Sequence, residues 1–366
     1  MEGGDSDLRL LFTTGLWDRL VQVDASGTRH LVTRIPLPVA EESPASIQQV
    51  LDALTPFQSV GSTALPKILE VRGSSEQGVD IRHRMPFGGT RAELWEQAGP
   101  LRTPLVAAVA SSIAEALDAL HDAGLFHGSL ASDRVLLSRD CELTMLDAPL
   151  VTGCMAMHPD LRFPDSRWEH VHPQAAYTAP ELIGGGEAPG RSADVFALSV
   201  LVASLLIGRS PWPGRNTLAI HTATRRGSHT LESDLGGILD ATGVGALSAG
   251  MSPDPGSRPE RASELIAATF RSLEDPIDLP MAAAYCGRHL SAWNHDARLV
   301  PLEDSDTALI PASITSRRDR LHAATIALES ARRGDGASSR RSRSWVAGAV
   351  VAIVAALALL FLLLSR

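Results

Sequence analysis

The sequence predicts an α+β fold in which a small β-rich lobe precedes a larger helical lobe. Strand-like stretches joined by short turns occupy the chain up to about residue 87, and long apolar helical patterns follow them. Within the helical part, residues 121–150 join the end of a helix, a turn with His127 and two short strands. Strands first and helices later are typical of two packed lobes rather than of an alternating α/β sheet.

The N-terminal elements follow from alternation and turn chemistry. Asp24-Ala-Ser-Gly27 predicts a hairpin turn, and Pro44–Leu54 predicts a helix capped by Ser43, with proline at its first position. The predicted strands share β-branched and alternating residues and are Leu20–Val23, Arg29–Ile35, Pro66–Val71 and Val79–Arg84.

The C-terminal lobe begins with a long helix. Arg102–Ala123 has its apolar residues on one face and is stopped by Gly124. A strand Val135–Leu137 and a second strand ending in Asp147 come next, followed by an irregular stretch of some thirty residues. Asp194–Ile207 then predicts a strongly apolar helix.

Composition limits the class of protein. The chain has 366 residues, 44% of them apolar, and a net charge of −9, which argues against a general nucleic-acid binder. Cys141, Cys154 and Cys286 are scattered and lack C-x-x-C spacing, so reduced thiols are expected. The acidic, polar start MEGGDSD does not resemble a signal peptide.

The C-terminal residues predict a membrane anchor. Trp345–Leu364 contains no charged residue and is long enough to cross a ~30 Å hydrocarbon core as a helix. Arg340, Arg341 and Arg343 precede it, so the positive-inside rule places the N-terminal part in the cytoplasm, at the inner membrane. The small residues Ser344, Gly348, Ala352 and Ala356 recur at four-residue spacing, which would also permit a homodimer.

Three motifs follow the His127 turn in order: Tyr177-Thr-Ala-Pro-Glu181, Asp194-Val-Phe-Ala-Leu198 and Asp254-Pro-Gly-Ser-Arg258-Pro. Together they resemble one family, the eukaryotic-like Ser/Thr protein kinases of bacteria. The resemblance implies a bilobal kinase-like domain at 1–275, with an N-lobe at about 8–87 and a C-lobe at about 90–272. A juxtamembrane linker with one short helix would span 276–344, and the membrane helix 345–364. It also implies that Glu181 pairs with Arg258 and that Asp194 braces the loop of His127.

The residues that the family uses for catalysis are replaced in this sequence. Ser129 stands at the position of the catalytic aspartate, Ala131 at that of a lysine facing the phosphate, and Arg134 at that of a metal-binding asparagine. Arg34 replaces the strand lysine that pairs with nucleotide phosphates, and Arg is not equivalent to Lys at a tight site. The phosphate-covering loop offers only Gly15, and Trp17 would crowd the pocket.

One active-site residue of the family is kept. Asp147 matches the metal-binding aspartate, so Asp147 and Arg34 are candidates for residual nucleotide and metal binding, although an aspartate at a turn is common for structural reasons alone. Asp133 is a weaker candidate for a substitute base. A zinc site of His158, His170 and His172 lacks the usual ligand spacing and is disfavoured.

The sequence therefore favours a membrane-anchored pseudokinase that binds a protein partner, such as an active kinase or its substrate, and requires no cofactor. Two alternatives stay open. The chain could be a divergent active Ser/Thr kinase that transfers the γ-phosphate of ATP, or a sensor that binds Mg-ATP without turnover.

Overall fold

A computed structural model describes residues 8–13, 16–37, 47–86, 89–91, 100–138, 143–159, 175–184, 188–214 and 216–273. The predicted cap Ser43, the linker at 276–344 and the span Trp345–Leu364 lie outside these residues.

The N-terminal lobe is a five-stranded antiparallel sheet with one helix. Its strands are β1 Leu8–Thr13, β2 Asp18–Val23, β3 Arg29–Ile35, β4 Ile68–Ser74 and β5 Gly78–Arg84, in the order β1-β2-β3-β5-β4. The strand β3 has the predicted bounds, and the turn before it closes where Gly27 adopts φ 81°. Helix α1, Ile47–Leu54, ends where the sequence predicts and buries Val50 and Leu54.

The C-terminal lobe is mainly helical. Its helices are α2 Thr103–Asp122, α3 Leu150–Met157, α4 Arg191–Ile207, α5 Thr217–Arg226, α6 Leu231–Leu235, α7 Ala241–Gly250 and α8 Ala262–Thr269. A second sheet, in the order β6-β7-β8, consists of β6 Gly89–Arg91, β7 Val135–Ser138 and β8 Leu143–Met145. The chain is therefore α+β with a sheet-rich lobe before a helical lobe, as predicted.

The stretch after Asp147 corrects one prediction. The sequence predicts irregular structure there, but Leu150–Met157 forms helix α3. Its residues Leu150, Val151, Cys154 and Met157 are fully buried. An apolar helix buried on several sides has no polar face, so the usual helical periodicity does not reveal it.

Helix α2 is a core element. Among the described residues it is the one helix long and apolar enough to cross a bilayer, yet 61% of its most apolar window is buried within the protein. It packs against α4 and α8, and its residues Ile113, Leu117 and Leu120 have no exposed surface. Burial of this kind identifies a core helix rather than a membrane span.

Candidate functional site: a cleft filled by its own charges

The loop between α2 and β7 is held in shape by Asp194. The carboxylate of Asp194 accepts hydrogen bonds from the backbone N–H groups of His127 at 2.8 Å and Gly128 at 2.7 Å. It also contacts His121 Nε2 at 2.9 Å. Gly128 needs its φ of 71° here, and a Cβ would approach Phe126 to 3.0 Å. Asp194 of helix α4 thus fixes the backbone of this loop.

His127 joins this loop to the strand that leads to Asp147. Its Nε2 donates to the carbonyl of Leu146 at 2.9 Å, and its Nδ1 accepts from the backbone N–H of Ser129 at 3.3 Å. The ring is fully buried, and burial lowers its pKa, so the neutral form is favoured. The resemblance assigned His127 and Asp194 structural positions, and the geometry places both at the base of the loop.

Glu181 and Arg258 form a bidentate pair next to Ser192, near the start of helix α4. The two guanidinium nitrogens of Arg258 donate to the two carboxylate oxygens of Glu181 at 2.7 and 2.8 Å. Arg258 also donates to the carbonyl of Ser252 at 2.9 Å and lies 4.9 Å from the ring centre of Phe196. The structure therefore brings together the two residues that the resemblance pairs.

Ser129 and Arg134 bind each other within the loop. Both are buried, with 1% of each exposed, and Arg134 Nη1 donates to Ser129 Oγ at 2.6 Å. Ala131 lies between them in sequence and is 3% exposed. At these two positions the loop thus presents a hydroxyl and a guanidinium, and neither group can act as a general base for an acceptor hydroxyl at neutral pH.

Asp147 lies between two arginines. Arg19 Nη2 donates to Asp147 Oδ1, and Arg134 Nη1 is 3.7 Å from Asp147 Oδ2. Burial alone would raise the pKa of Asp147, but Arg19 and Arg134 outweigh that effect and hold the pKa below its ordinary value. Asp147 also has φ 69°, in the left-handed region that aspartate tolerates better than most residues. The carboxylate is therefore ionised and already neutralised by protein charges.

Arg19 is a site residue that sequence reasoning missed. It lies on β2 opposite Thr33 of β3, is 1% exposed, and its guanidinium sits 4.9 Å from the ring centre of Trp17. The signal was available, because alternation along β2 places Arg19 and Val21 on the same buried face. An arginine on a buried strand face requires an acidic partner.

Arg34 binds a different carboxylate, that of Asp80. It is opposite Asp80 in the β3–β5 register and binds that carboxylate through Nε at 2.6 Å and Nη2 at 2.8 Å. Its neighbours Thr33 and Ile35 are buried, so Arg34 faces the opposite side of the strand. The arginine that reaches Asp147 comes from β2.

Helix α3 packs against helix α1. A Cβ on Gly153 would come within 2.3 Å of Ile35 and 3.2 Å of Leu54, so β3, α1 and α3 meet closely at this glycine. Cys154, on the same helix, is fully buried, and burial raises the pKa of its thiol to about 12. It is an inert thiol that contributes to packing.

The other candidates do not form a second centre among the described residues. His158 is buried, whereas His170 and His172 lie outside the described residues, and no group of three metal-binding side chains occurs in the described part of the chain. Asp133 is buried with 1% exposed.

The cleft residues do not fit Mg²⁺. A magnesium ion requires oxygen ligands in near-octahedral geometry, but Asp147 is flanked by two cations, and one of them, Arg134, stands at the position that the resemblance assigns to a second ligand. A guanidinium repels a divalent cation in addition to failing to coordinate it. We therefore derive no step of phosphoryl transfer from this site.

The bilobal architecture, the braced loop and the Glu181–Arg258 pair define a protein-kinase-like domain. Residues 48–266 match the family model of the protein kinase domain, which covers more than half of the chain. The chain therefore belongs to the protein kinase family.

Several curated proteins are similar to it over part of their length. Serine/threonine-protein kinase PknL of Mycobacterium tuberculosis is 34% identical over 152 residues, which covers 40% of this chain and 36% of that protein. Serine/threonine-protein kinase PknH of the same species is 25% identical over 197 residues, covering 54% and 30%. A protein named as a probable inactive serine/threonine-protein kinase of Dictyostelium discoideum is 22% identical over 206 residues, covering 55% and 17%. The matched stretches span about a third of the two mycobacterial proteins.

Proposed function

We propose that this protein is a pseudokinase, a signalling module of the protein kinase family that binds proteins without efficient phosphoryl transfer. The observation that carries the proposal is the buried cluster of Arg19, Arg134 and Asp147. Phosphoryl transfer needs an aspartate to orient the acceptor hydroxyl and metal ions to neutralise the phosphates. Here a serine and two guanidinium groups occupy that region.

Loss of the base and loss of the metal act together. Removing a general base typically lowers a rate by about 10²–10⁴. In this cleft Asp147, the remaining metal ligand of the family, is bound to a cation from the protein itself. ATP and Mg²⁺ are therefore not required for the proposed role.

The proposed setting is the cytoplasmic face of the inner membrane, with residues 345–364 as the anchor. A cytoplasmic domain on a single span would meet partner proteins at that surface, and we propose an active kinase or one of its substrates as the partner. The same anchor could bring two copies together through its small residues.

Two measurements on the full chain test the proposal. The 366-residue protein in detergent micelles is incubated with γ-labelled ATP, Mg²⁺ and a generic acceptor protein, beside an Asp147→Ala variant and an active kinase as positive control. We expect label on neither the native chain nor the acceptor above the Asp147→Ala background. Label that requires Asp147 would establish the alternative of a divergent active kinase.

Thermal unfolding with and without Mg-ATP separates the remaining alternative. A nucleotide at 100 times its dissociation constant stabilises a protein by about 2.7 kcal/mol, which is a shift of about 5–11 °C for a domain of this size. We expect no such shift in the native chain. A shift without transfer would make the protein an ATP sensor.

A further inference from the structure

A cavity opens beside Asp147 on the side of the strand–helix junction. Its volume is about 330 Å³, and its apolar wall includes Phe57, Val60, Leu65, Ile68 and Pro149. An engineered cavity of about 150 Å³ lined by apolar side chains binds benzene. A space of about twice that volume therefore suits a flat body of two fused rings. Neither Ser129 nor Arg134 lines it, so it is distinct from the loop that replaces the catalytic residues.

His83 supplies a buried polar group to the cavity. It lines the wall, is 4% exposed, and its side chain donates to the carbonyl of Pro66. Its Nδ1 is buried and has no hydrogen-bond partner among the described residues. The nitrogen that donates to the carbonyl of Pro66 is therefore Nε2, which carries the proton. Burial, together with the nearby Arg19, lowers the pKa of His83 to about 4, so the ring is neutral. Nδ1 is then a lone-pair acceptor without a donor, which is a costly state for a buried atom.

Lys67 supplies a charge where the cavity meets solvent. Lys67 is the only lysine in the chain, lines the same cavity and is exposed to solvent. An ammonium group there attracts an anion without the desolvation cost of a buried pair. The cavity therefore combines an apolar wall, the buried ring of His83 and an external cation, and the Asp147 carboxylate in its lining is already bound by Arg19.

We propose that this cavity binds a small aromatic acid whose fused rings lie against Phe57 and Ile68, whose hydroxyl donates to His83 Nδ1, and whose carboxylate faces Lys67. This site does not depend on whether the cleft transfers phosphate. Its ligand would contact Pro149 and Asp147, at the start of the segment that forms helix α3.

The first test compares three probes on the native protein by isothermal titration calorimetry. The 366-residue chain in detergent micelles is titrated with 6-hydroxy-2-naphthoate, 2-naphthoate and 2-naphthol, and titrations of empty micelles are subtracted. We expect a Kd of about 1 mM or tighter for the hydroxynaphthoate, as ligand-efficiency limits for a molecule of this size suggest. Loss of the hydroxyl should weaken binding by about three- to tenfold. No binding of any probe, or equal binding of the two naphthoates, would overturn the proposal.

The second test uses variants of the two polar residues. His83→Leu should weaken 6-hydroxy-2-naphthoate to the affinity of 2-naphthoate and leave 2-naphthoate unchanged. Lys67→Met should weaken both acids and leave 2-naphthol unchanged. A hydroxyl preference that survives in a folded His83→Leu protein would contradict the assignment. If His83→Leu fails to fold, the comparison of the three probes on the native chain still decides.

The third test fills the cavity. Gly61 lines it, and a Cβ built there meets no atom within 4 Å, so Gly61→Leu adds volume without a backbone clash. Gly237 also has nothing within 4 Å of a built Cβ and lies outside the cavity, so Gly237→Leu is the matched control. Gly61→Leu should reduce affinity at least tenfold, whereas Gly237→Leu should bind as the native protein does. Equal binding by the two variants would place the probe elsewhere.

Discussion

Replacement of Asp147 by asparagine should destabilise this protein, whereas the same change in an empty metal site usually does not. In Asp147→Asn the side chain keeps its shape, but Arg19 and Arg134 lose the carboxylate that neutralises them. Removing one partner of a buried ion pair costs about 3–5 kcal/mol because the other charge stays buried and unpaired. For a domain of this size, that corresponds to a fall in Tm of about 6–20 °C.

Replacement of Arg19 provides the matched comparison. Arg19→Met breaks the same ion pair, but Asp147 still has Arg134 Nη1 at 3.7 Å from its second oxygen. The remaining charges balance, so we expect a loss of about 1–3 kcal/mol, the value of one charged hydrogen bond. The double variant should be more stable than Asp147→Asn alone, because it removes one of the two buried guanidinium groups that contact the lost carboxylate.

Thermal and urea unfolding of the three variants, followed by circular dichroism, measures these differences. The pH dependence gives a second check. The folded pKa of Asp147 lies below its ordinary value, so its stabilising effect is complete above about pH 4, the unfolded pKa, and is lost as pH falls through the folded pKa. The gap between native protein and Asp147→Asn should therefore persist at pH 5 and close in stronger acid. The reasoning is refuted if Asp147→Asn melts at or above the native Tm, or if Arg19→Met costs more than Asp147→Asn.

Three further predictions concern the rest of the domain. Glu181→Gln should lower the free energy of unfolding by about 3 kcal/mol, as measured in urea, since Arg258 would remain buried without its bidentate partner. Asp118→Asn should cost about 2 kcal/mol, because the buried Asp118 carboxylate accepts from backbone N–H groups at the start of α8, whereas Asp122→Asn at an exposed carboxylate should cost under about 1 kcal/mol. His83, with a folded pKa of about 4, should make native stability fall by up to about 3 kcal/mol between pH 7 and pH 4, since the unfolded chain binds the proton first. In His83→Leu the free energy of unfolding should change less between pH 7 and pH 4 than in the native protein. An equal pH dependence in the two proteins would contradict the assignment.

The strands could be predicted from the sequence because alternating side chains and turn residues within each segment indicate a strand. Arg29–Ile35 alternates and follows a turn of the right chemistry, and the structure has the same bounds. Helix α3 could not be predicted in this way. Its residues Leu150–Met157 are apolar nearly throughout, and its partners Ile35 and Leu54 lie far away in the chain. Local periodicity does not report burial that distant residues create.

The sequence predicts which residue types stand at the family's catalytic positions, but it does not predict which side chains meet in the cleft. The positions of Ser129 and Arg134 follow from the sequence around His127, where the resemblance implies a base and a metal ligand in the family. The sequence suggested Arg34 as the cation near a nucleotide, whereas Arg19 reaches Asp147. Which arginine faces the cleft depends on the pairing of β2 and β3, and a shift of one residue in a strand reverses the face of every side chain.

The replacements in the cleft form one hydrogen-bonded unit, which explains how the scaffold tolerates them. Arg134 donates to Ser129 and approaches Asp147, and Arg19 binds the other oxygen of Asp147. A buried polar group is costly unless it is paired, so each of these residues satisfies another. The loop itself is fixed by Asp194 through backbone N–H groups, which no substitution at Ser129 or Arg134 removes. If the protein is the pseudokinase that we propose, Ser129→Asp would therefore add a second carboxylate to this cluster without freeing Asp147 for a metal, and phosphoryl transfer would require changes at Arg19 and Arg134 as well.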